Sequence, residues 1–310
     1  MSTIIPPHLY LWIFCEDCIL YIFSLVVLLL AAYYFSKLPR KPHPLRLYGY
    51  SYHNGPHEWP RHFPASAGCK QSPINVDSAR AVRLDSRASC RPLLWRNREC
   101  LPNAYTMLND GRKVALIGTW AAPNMVPEVT GGPLGSAVYR LVGMHFRWGA
   151  NDEWGGEHTL DNRSFPLELQ MLLIRQDFAT PKDALASKEG NSMTMVSYFF
   201  KIAARDNPYL DAVVLNLGRI RRPGAKHCLP PFPLDWLAPP FSSRFFAYVG
   251  SLSEPPCAEV VIWILRFTPQ LHISSRQLHQ FRILLSADGP ITRNSRPVQL
   301  LWGRKVFLYK

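Results

Sequence analysis

The sequence predicts a mainly β (α+β) domain, a sheet with a few peripheral helices, preceded by one transmembrane helix. Three observations support this prediction. The chain is rich in proline and tryptophan, short runs of alternating apolar residues dominate it, and one long uncharged segment lies near its amino terminus. Of 310 residues, 28 are proline and 9 are tryptophan, a composition that suits a loop-rich β architecture better than a helical bundle.

The uncharged segment covers residues 18–36, with the sequence CILYIFSLVVLLLAAYYFS, and is long enough to span a bilayer. A signal peptide that is cleaved after Ala31 and Ala32 is the alternative. Before the segment, Glu16 and Asp17 are present and Lys and Arg are absent, which argues against cleavage. We therefore predict a signal-anchor that tethers the protein to a membrane.

The rest of the chain divides around this segment. Residues 1–17 form an amino-terminal tail, and residues 37–47, KLPRKPHPLRL, read as a basic, proline-rich and semi-rigid linker. Residues 48–310 contain no composition break, no repeat and no second linker, so we expect them to form one domain.

Alternation with a period of two predicts strands in this domain, at 113–118, 138–148, 166–174, 212–216 and 259–267. Residues 193–204 fit a buried strand. Turn signals such as Asp110-Gly111 separate the runs. Residues 274–284 are predicted to be helical, with Ser274 as the amino-terminal cap.

The formal net charge is +13. This charge fits a basic soluble surface, and it also fits attraction to anionic lipid headgroups or to an acidic partner. Nucleic acid is not expected as a partner, because the basic residues are scattered and no nucleic-acid-binding signature accompanies them.

Polar residues are concentrated on two of the predicted strands and in the turn between them. Alternation places His145 and Arg147 on one face of the first strand, and Glu168 and Gln170 on one face of the second. The turn contains Glu157-His158-Thr159. Because the three elements are close in sequence, we expect their side chains to converge on one pocket.

Eight short motifs carry a resemblance to a known family. They are YGYSYHNGP (48–56), QSPINV (71–76), GGPL (131–134), YRLVGMHFRWG (139–149), EHTLD (157–161), LEL (167–169), GSLSEPPC (250–257) and RPVQ (296–299). In this order and spacing, the sequence resembles the α-carbonic anhydrases across nearly all of residues 48–310. The resemblance implies the α-carbonic anhydrase fold, a central twisted and mostly antiparallel sheet with the site in a conical cavity.

Members of that family hold zinc with three histidines, and the metal lowers the pKa of a bound water to about 7. The resemblance assigns the three ligand positions to His145, Arg147 and Gln170. An arginine stays protonated and has no lone pair to donate, and an amide oxygen is a poor ligand for zinc. The resemblance therefore implies a degenerate site that binds no metal and no other cofactor.

Other family positions are changed as well. Arg112 stands at the position of the family's proton-shuttle histidine, and Gly143 at that of the amide that orients the first ligand. Ser253 and Glu157 match the hydroxyl and carboxylate that orient the family's nucleophile. The next residue, Glu254, adds an acid to the pocket.

Charges in such a pocket must be paired, because an isolated buried charge is costly. We expect Arg147 to pair with Glu157, Glu168 or Glu254. His158 matches a buried structural histidine of the family. We expect it to hold Glu168, which no longer orients a metal ligand.

This pattern is similar to that of the catalytically inactive carbonic anhydrase-related proteins, which keep the fold and lack zinc ligands. That similarity implies a module that binds another protein, whose identity the sequence does not give, and the segment at 18–36 predicts that the module is tethered to a membrane. Two alternatives stay open: residual or altered carbonic anhydrase or esterase activity, and a sensor that binds a small anion through Arg147.

Cysteines and a sequon bear on the compartment. In extracellular relatives a disulfide joins the positions that Cys69 and Cys257 occupy, so the resemblance implies this bond and an oxidising compartment. The resemblance leaves three other cysteines of the domain unassigned, namely Cys90, Cys100 and Cys228.

Asn162 begins a candidate glycosylation sequon, Asn162-Arg163-Ser164. The cysteine pair predicts an extracellular or luminal domain. Basic residues directly after the span oppose this by the positive-inside rule. The alternatives are a protein that is secreted after cleavage of the amino-terminal segment and a domain that faces the cytosol.

Overall fold

The computed structural model describes residues 47–84 and 91–310, and β-strands make up most of its regular structure. In chain order the strands are β1 Asn75–Val76, β2 Val82–Leu84, β3 Leu93–Arg96, β4 Ala104–Asn109, β5 Val114–Thr119, β6 Glu128–Gly131, β7 Tyr139–Trp148, β8 Thr159–Leu160, β9 Leu167–Arg175, β10 Met193–Ala203, β11 Lys226–Leu229, β12 Phe245–Gly250, β13 Val261–Ser274, β14 Leu285–Ser286, β15 Gly289–Pro290 and β16 Phe307–Tyr309.

The helices are short and lie outside the sheet. They are α1 Trp59–His62, α2 Pro181–Ala186, α3 Asp211–Val214 and α4 Ser275–Arg282. Stretches of 3₁₀ helix occur at Pro64–Ala67, Pro123–Met125, Gly132–Leu134, Pro208–Leu210, Leu217–Ile220 and Leu234–Trp236.

One large sheet joins twelve of these strands. Its order is β11-β4-β5-β7-β9-β10-β13-β12-β16-β2, and β6 connects β3 to β7. Within it the pairs β10–β13 and β16–β2 are parallel and the others are antiparallel. The expected mainly β domain, with a mostly antiparallel sheet and peripheral helices, is confirmed.

The predicted tail, the apolar segment at 18–36 and nearly all of the linker fall within residues 1–46, outside the described residues. Within residues 47–84 and 91–310, none of the helices has the length and apolar character needed to cross a bilayer.

The centre of the sheet is covered on both faces. Eight consecutive residues of β10 are buried, as are the last five of β7. Burial on both sides explains why these strands carry long apolar runs rather than strict alternation. Four polar side chains of β7 and β9 are buried here, namely His145, Arg147, Glu168 and Gln170.

The pairing of β7 with β9 brings the predicted site residues together. In this antiparallel register His145 lies opposite Gln170 and Arg147 lies opposite Glu168. Residues opposite each other on antiparallel strands project to the same side of the sheet. The four side chains consequently share one face, as the alternation predicted.

Gly143 lies at an irregularity in the β7–β9 register, where the adjacent strand β5 comes very close. A Cβ atom at this position would lie 2.9 Å from the carbonyl oxygen of Leu116. A side chain here would therefore force one strand to shift. The close approach gives a steric reason for the glycine.

One predicted strand is wrong: residues 212–216 belong to the helical segment around α3. The buried side chains are Leu210, Val213, Val214 and Leu217, which is the spacing i, i+3, i+4, i+7 of a helix face. The alternation in this short run was coincidental.

Two other predicted elements are confirmed. The buried strand expected at 193–204 is β10, and the helix expected at 274–284 is α4. The side chain of Ser274 accepts a hydrogen bond from the backbone of Gln277 and caps the helix as predicted.

Candidate functional site

Arg147 lies at the centre of the site, with only 1% of its side chain exposed. Its Nη2 donates to Glu254 Oε2 at 2.9 Å, and its Nε lies 3.5 Å from Glu157 Oε1. Its Nη1 donates to the Tyr50 hydroxyl at 2.7 Å and to the Asn294 carbonyl at 3.2 Å. The guanidinium thus has a partner on each of its three nitrogens.

The electrostatics keep this guanidinium charged. Burial acts to lower the pKa of Arg147, but the carboxylates of Glu157 and Glu254 outweigh burial and raise that pKa well above its ordinary value. The expected pairing with Glu157 and Glu254 is confirmed. Glu168 was the third candidate, and it has other partners.

Glu254 bridges two cations. One carboxylate oxygen accepts from Arg147, and the other accepts from the ammonium of Lys113. Burial would raise the pKa of Glu254, but the charges of Lys113 and Arg147 hold it far below its ordinary value. A carboxylate with two cationic partners is ionised across the physiological pH range.

His145 and Gln170 are joined by a hydrogen bond of 2.8 Å between Nε2 and Oε1. The amide nitrogen of Gln170 donates to Glu157 Oε2 at 2.9 Å and to Glu168 Oε1 at 2.8 Å. Two carboxylate acceptors fix the orientation of the amide, so its oxygen must face His145. The imidazole nitrogen at this contact therefore carries a proton and donates it.

His145 is neutral in this environment. Burial, followed by the positive charges of Lys113 and Arg147, holds the pKa of His145 well below its ordinary value. A neutral imidazole has one protonated nitrogen, and the contact with Gln170 places that proton on Nε2. The lone pair on Nε2 is consequently not available to a metal.

His158 holds Glu168, as we expected. His158 Nδ1 lies 3.0 Å from Glu168 Oε1, and Ser197 donates to the same oxygen at 2.8 Å. The backbone amides of Glu157 and His158 donate to Oε2 at 2.8 and 2.9 Å. Burial opposes ionisation of Glu168, but its electrostatic interaction and hydrogen bonds with His158, and a hydrogen bond from Gln170, lower its pKa overall.

Glu157 and Ser253 remain connected, as the resemblance implied. Both are buried, and the Ser253 hydroxyl forms a hydrogen bond with the Glu157 carboxylate. Burial raises the pKa of Glu157 despite the nearby charge of Arg147. Its carboxylate also accepts from the backbone amide of Arg296 at 3.1 Å.

Arg112 does not join the cluster around Arg147. Its guanidinium stacks on the Tyr48 ring, 3.8 Å from the ring centre, and its Nε donates to the Tyr48 carbonyl. The cation that enters the site from this turn is the next residue, Lys113. Arg112 was expected in the pocket; it lines a cavity that Tyr50, a partner of Arg147, also lines, whereas Lys113 contacts Glu254 directly.

Lys113 and Tyr50 are site residues that the sequence reasoning missed. A signal for Lys113 was present, because it precedes Ala115 by two residues and Ala115 pairs with His145. Side chains two apart on an extended segment share a face, so Lys113 should face the site. Tyr50 lies in an irregular segment, where no periodicity predicts direction.

Among known protein families, a model described as eukaryotic-type carbonic anhydrase matches residues 54–310. The chain is 34% identical over 265 residues to carbonic anhydrase 7 of Homo sapiens, covering 84% of this chain and 96% of that protein. The chain belongs to the carbonic anhydrase family. It is also 31% identical to carbonic anhydrase 15 of Mus musculus over 262 residues, 81% of this chain and 79% of that protein.

A similar match is found to carbonic anhydrase 3 of Equus caballus, 31% identical over 267 residues, 84% of this chain and 96% of that protein. The described residues of this carbonic anhydrase domain contain no group of three or more His, Cys, Asp or Glu side chains arranged to hold a metal ion.

The expected disulfide between Cys69 and Cys257 is absent, and both residues are free thiols. Cys257 is fully buried beside Tyr50 and Trp59, whereas Cys69 is exposed. Burial raises the pKa of Cys257 to about 12, so its thiol stays protonated and unreactive. The bond that the family resemblance implied is therefore not present between these two residues in this structure, and Cys90 falls outside the described residues.

Asn162 is exposed in the turn after β8, and its backbone amide donates to Asn75 Oδ1 at 2.9 Å. The candidate sequon thus lies on an accessible turn.

The charge of Glu254 is predicted to stabilise the fold in a pH-dependent way. Glu254→Gln removes that charge from between Lys113 and Arg147. Loss of one partner from a buried pair costs roughly 3–5 kcal/mol. Because Glu157 still faces Arg147, we expect a loss of about 2 kcal/mol at pH 7, measured by urea unfolding of Pro44–Lys310, which form one compact unit.

The sign of the pH dependence follows from the lowered pKa. The stabilisation by Glu254 is complete above its ordinary pKa of 4.5 and is lost as the pH falls below that value. The difference between wild type and Glu254→Gln should therefore shrink below about pH 4.5. The matched control is Glu153→Gln at an exposed position. It should lose little unfolding free energy either at pH 7 or below about pH 4.5. A difference that stays constant on acidification would contradict this assignment.

Proposed function

We propose that this carbonic anhydrase domain is a zinc-free pseudoenzyme that does not hydrate CO2 and serves as a membrane-tethered, protein-binding module. The observation that carries the proposal is the buried guanidinium of Arg147, which pairs with Glu254 and contacts Glu157, Tyr50 and Asn294. A permanent cation stands where the family resemblance expects a metal ligand.

The donor set does not fit zinc. Arg147 offers no lone pair, and Gln170 presents a neutral amide oxygen that already accepts from His145. His145 itself uses Nε2 as a donor. Zinc would need three convergent lone pairs, whereas these side chains satisfy one another instead.

The same contacts argue for a structural role of the site. Charges of opposite sign alternate along the chain of contacts Lys113, Glu254, Arg147 and Glu157, and the hydrogen-bonding groups around them are paired with each other. Buried charges are tolerated only when they are paired in this way. A site that is internally satisfied has little to offer a substrate, so function is expected on the surface of the fold.

Two other functions fit the contacts less well. Residual hydration or esterase activity needs a source of hydroxide at neutral pH, which the family obtains from bound zinc. A small-anion sensor needs a cation with an open coordination side, but Arg147 is bracketed by Glu254 and Glu157. An anion would have to displace a buried carboxylate.

The membrane tether depends on residues 18–36, which the sequence predicts to span the bilayer. The free thiols of Cys69 and Cys257 remove the main argument for an oxidising compartment. We retain the extracellular or luminal placement as a proposal, to be tested by whether Asn162 carries a glycan in cells. An unmodified Asn162 together with free thiols would favour the cytosol-facing orientation.

Metal analysis of the purified full chain tests the central proposal. We expect far less than one zinc per chain after exposure to excess zinc and removal of the unbound metal, and no CO2 hydration above the buffer rate. About one zinc per chain, together with hydration that a sulfonamide blocks, would contradict the proposal.

Restoring the two missing histidine ligands tests the same proposal in the opposite direction, by a gain of zinc binding. Arg147→His combined with Gln170→His should bind close to one zinc per chain, because three imidazoles would then share the β7–β9 face. The matched control is Arg163→His with Gln176→His, the same two exchanges at exposed positions. A folded double variant that binds no more zinc than the control would show that these are not the ligand positions.

A further inference from the structure

A groove near the carboxyl terminus combines exposed apolar side chains with positive charge. It lies between residues 75–82 and residues 298–306 and has a volume of about 470 Å³. We name it the C-terminal groove. Three exposed large apolar side chains line it: Val82 (39%), Val298 (47%) and Leu300 (67%). Two more belong to neighbouring backbone, Trp302 (66%) in the loop that contains Arg304 and Val249 (43%), whose carbonyl accepts from Arg304.

This concentration is unusual for a soluble surface. The five account for nearly half of the twelve large apolar side chains that are exposed in the described part of the chain. Single exposed apolar residues are ordinary, but a contiguous group around a recess marks an interaction site. Trp302 is the residue type that most often anchors protein interfaces.

The loop that presents these side chains is held rigidly by Arg304. Its guanidinium donates to backbone carbonyls of Leu300, Leu301, Val249 and Gln71, at distances between 2.8 and 3.0 Å. Four bonds from one side chain fix the loop against β12 and the segment after α1. The exposed side chains are thus pre-positioned, which lowers the entropic cost of binding.

Trp302 also has an uncommon backbone conformation. Its φ is 49° and that of the following Gly303 is 78°, so the chain makes a left-handed turn at this point. A bulky residue rarely adopts positive φ, and such conformations are concentrated at functional sites. This turn exposes the Trp302 side chain to solvent. No packing contact in the described part of the chain explains the backbone strain and the exposure of so large an apolar side chain.

The groove is predominantly basic. Arg80, Arg304 and Lys305 line it, and Asp77 is the acidic residue among its described lining residues. Asp77 already forms an ion pair with Arg80 at 3.3 Å. The remaining charge is positive, so the complementary occupant carries carboxylates.

The shape favours a peptide segment over a lipid surface. The groove is a recess whose two sides meet where the Val82 amide donates to the Val306 carbonyl. A recess of this kind accepts a large side chain of a peptide segment, while the other side chains of the segment stay at the rim. A bilayer surface is flat on this scale and would leave the recess unfilled.

We propose that the C-terminal groove binds an acidic segment of a partner protein, with a large apolar side chain of that segment packed against Val298 and Leu300. Carboxylates of the segment pair with Lys305 at the rim, because Arg80 is already paired with Asp77. This inference rests on the proposed protein-binding function and names the face and the partner chemistry for it.

Selection from a random peptide library displayed on phage tests the inference. The target is the full chain in nanodiscs of neutral phosphatidylcholine. We expect the enriched peptides to be rich in Asp and Glu around Trp, Phe or Leu. Binding should fall by more than about tenfold in Leu300→Asp with Lys305→Glu, because both apolar and charge complementarity are lost.

The matched control is Leu215→Asp with Lys226→Glu, since Leu215 is 68% exposed and Lys226 is exposed. This control should bind as the wild type does. A second groove variant, Lys305→Gln alone, should lose binding partially, and both groove variants should keep the wild-type melting temperature because all substituted side chains are exposed.

Four results would overturn the inference. Enriched peptides could be neutral or basic, or binding could fall equally in the control pair. Vesicles containing phosphatidylserine could bind through the groove residues while acidic peptides do not, which would identify a lipid surface. The groove substitutions could instead dissociate a dimer of this chain, which would identify a second copy of the chain as the occupant of the groove. Zinc content is independent of the groove, so a zinc-free chain that selects no acidic peptide contradicts this inference alone.

Discussion

The buried charge of Arg147 is the constraint on which the rest of the site depends. A guanidinium that is 1% exposed must have its charge and donors satisfied, because an unpaired buried cation is prohibitively costly. Its partners come from four separate parts of the chain, namely Tyr50, Glu157, Glu254 and Asn294. The cation therefore joins the segment around Tyr50, the turn before β8 and two later loops to the central sheet. These side-chain and backbone groups of the protein satisfy the guanidinium, so the site needs no metal to balance its charges.

Much of this arrangement could be predicted from the sequence, because strand periodicity is a local property. Alternation alone placed His145 with Arg147 and Glu168 with Gln170, and the β7–β9 register put the four on one face. The rule that buried charges need partners predicted the contacts of Arg147 with Glu254. The contact between His158 and Glu168 followed from the resemblance to the carbonic anhydrases.

The parts that could not be predicted depend on irregular backbone or on three-dimensional packing. Tyr50 reaches Arg147 from a segment without periodicity, and Lys113 contacts Glu254 directly after a tight turn. The expected bond between Cys69 and Cys257 was transferred from relatives, but here one sulfur is buried and the other is exposed. The C-terminal groove was missed for a similar reason, since its two sides are more than 200 residues apart in sequence and carry no shared motif.

A crystal structure of the protein grown with a molar excess of zinc would test the account most directly, with anomalous diffraction recorded at the zinc edge. We predict no anomalous peak within coordination distance of His145, and density for the Arg147 guanidinium beside Glu254 and Glu157. A peak about 2.1 Å from an imidazole nitrogen of His145, with Arg147 displaced from Glu254, would contradict the account.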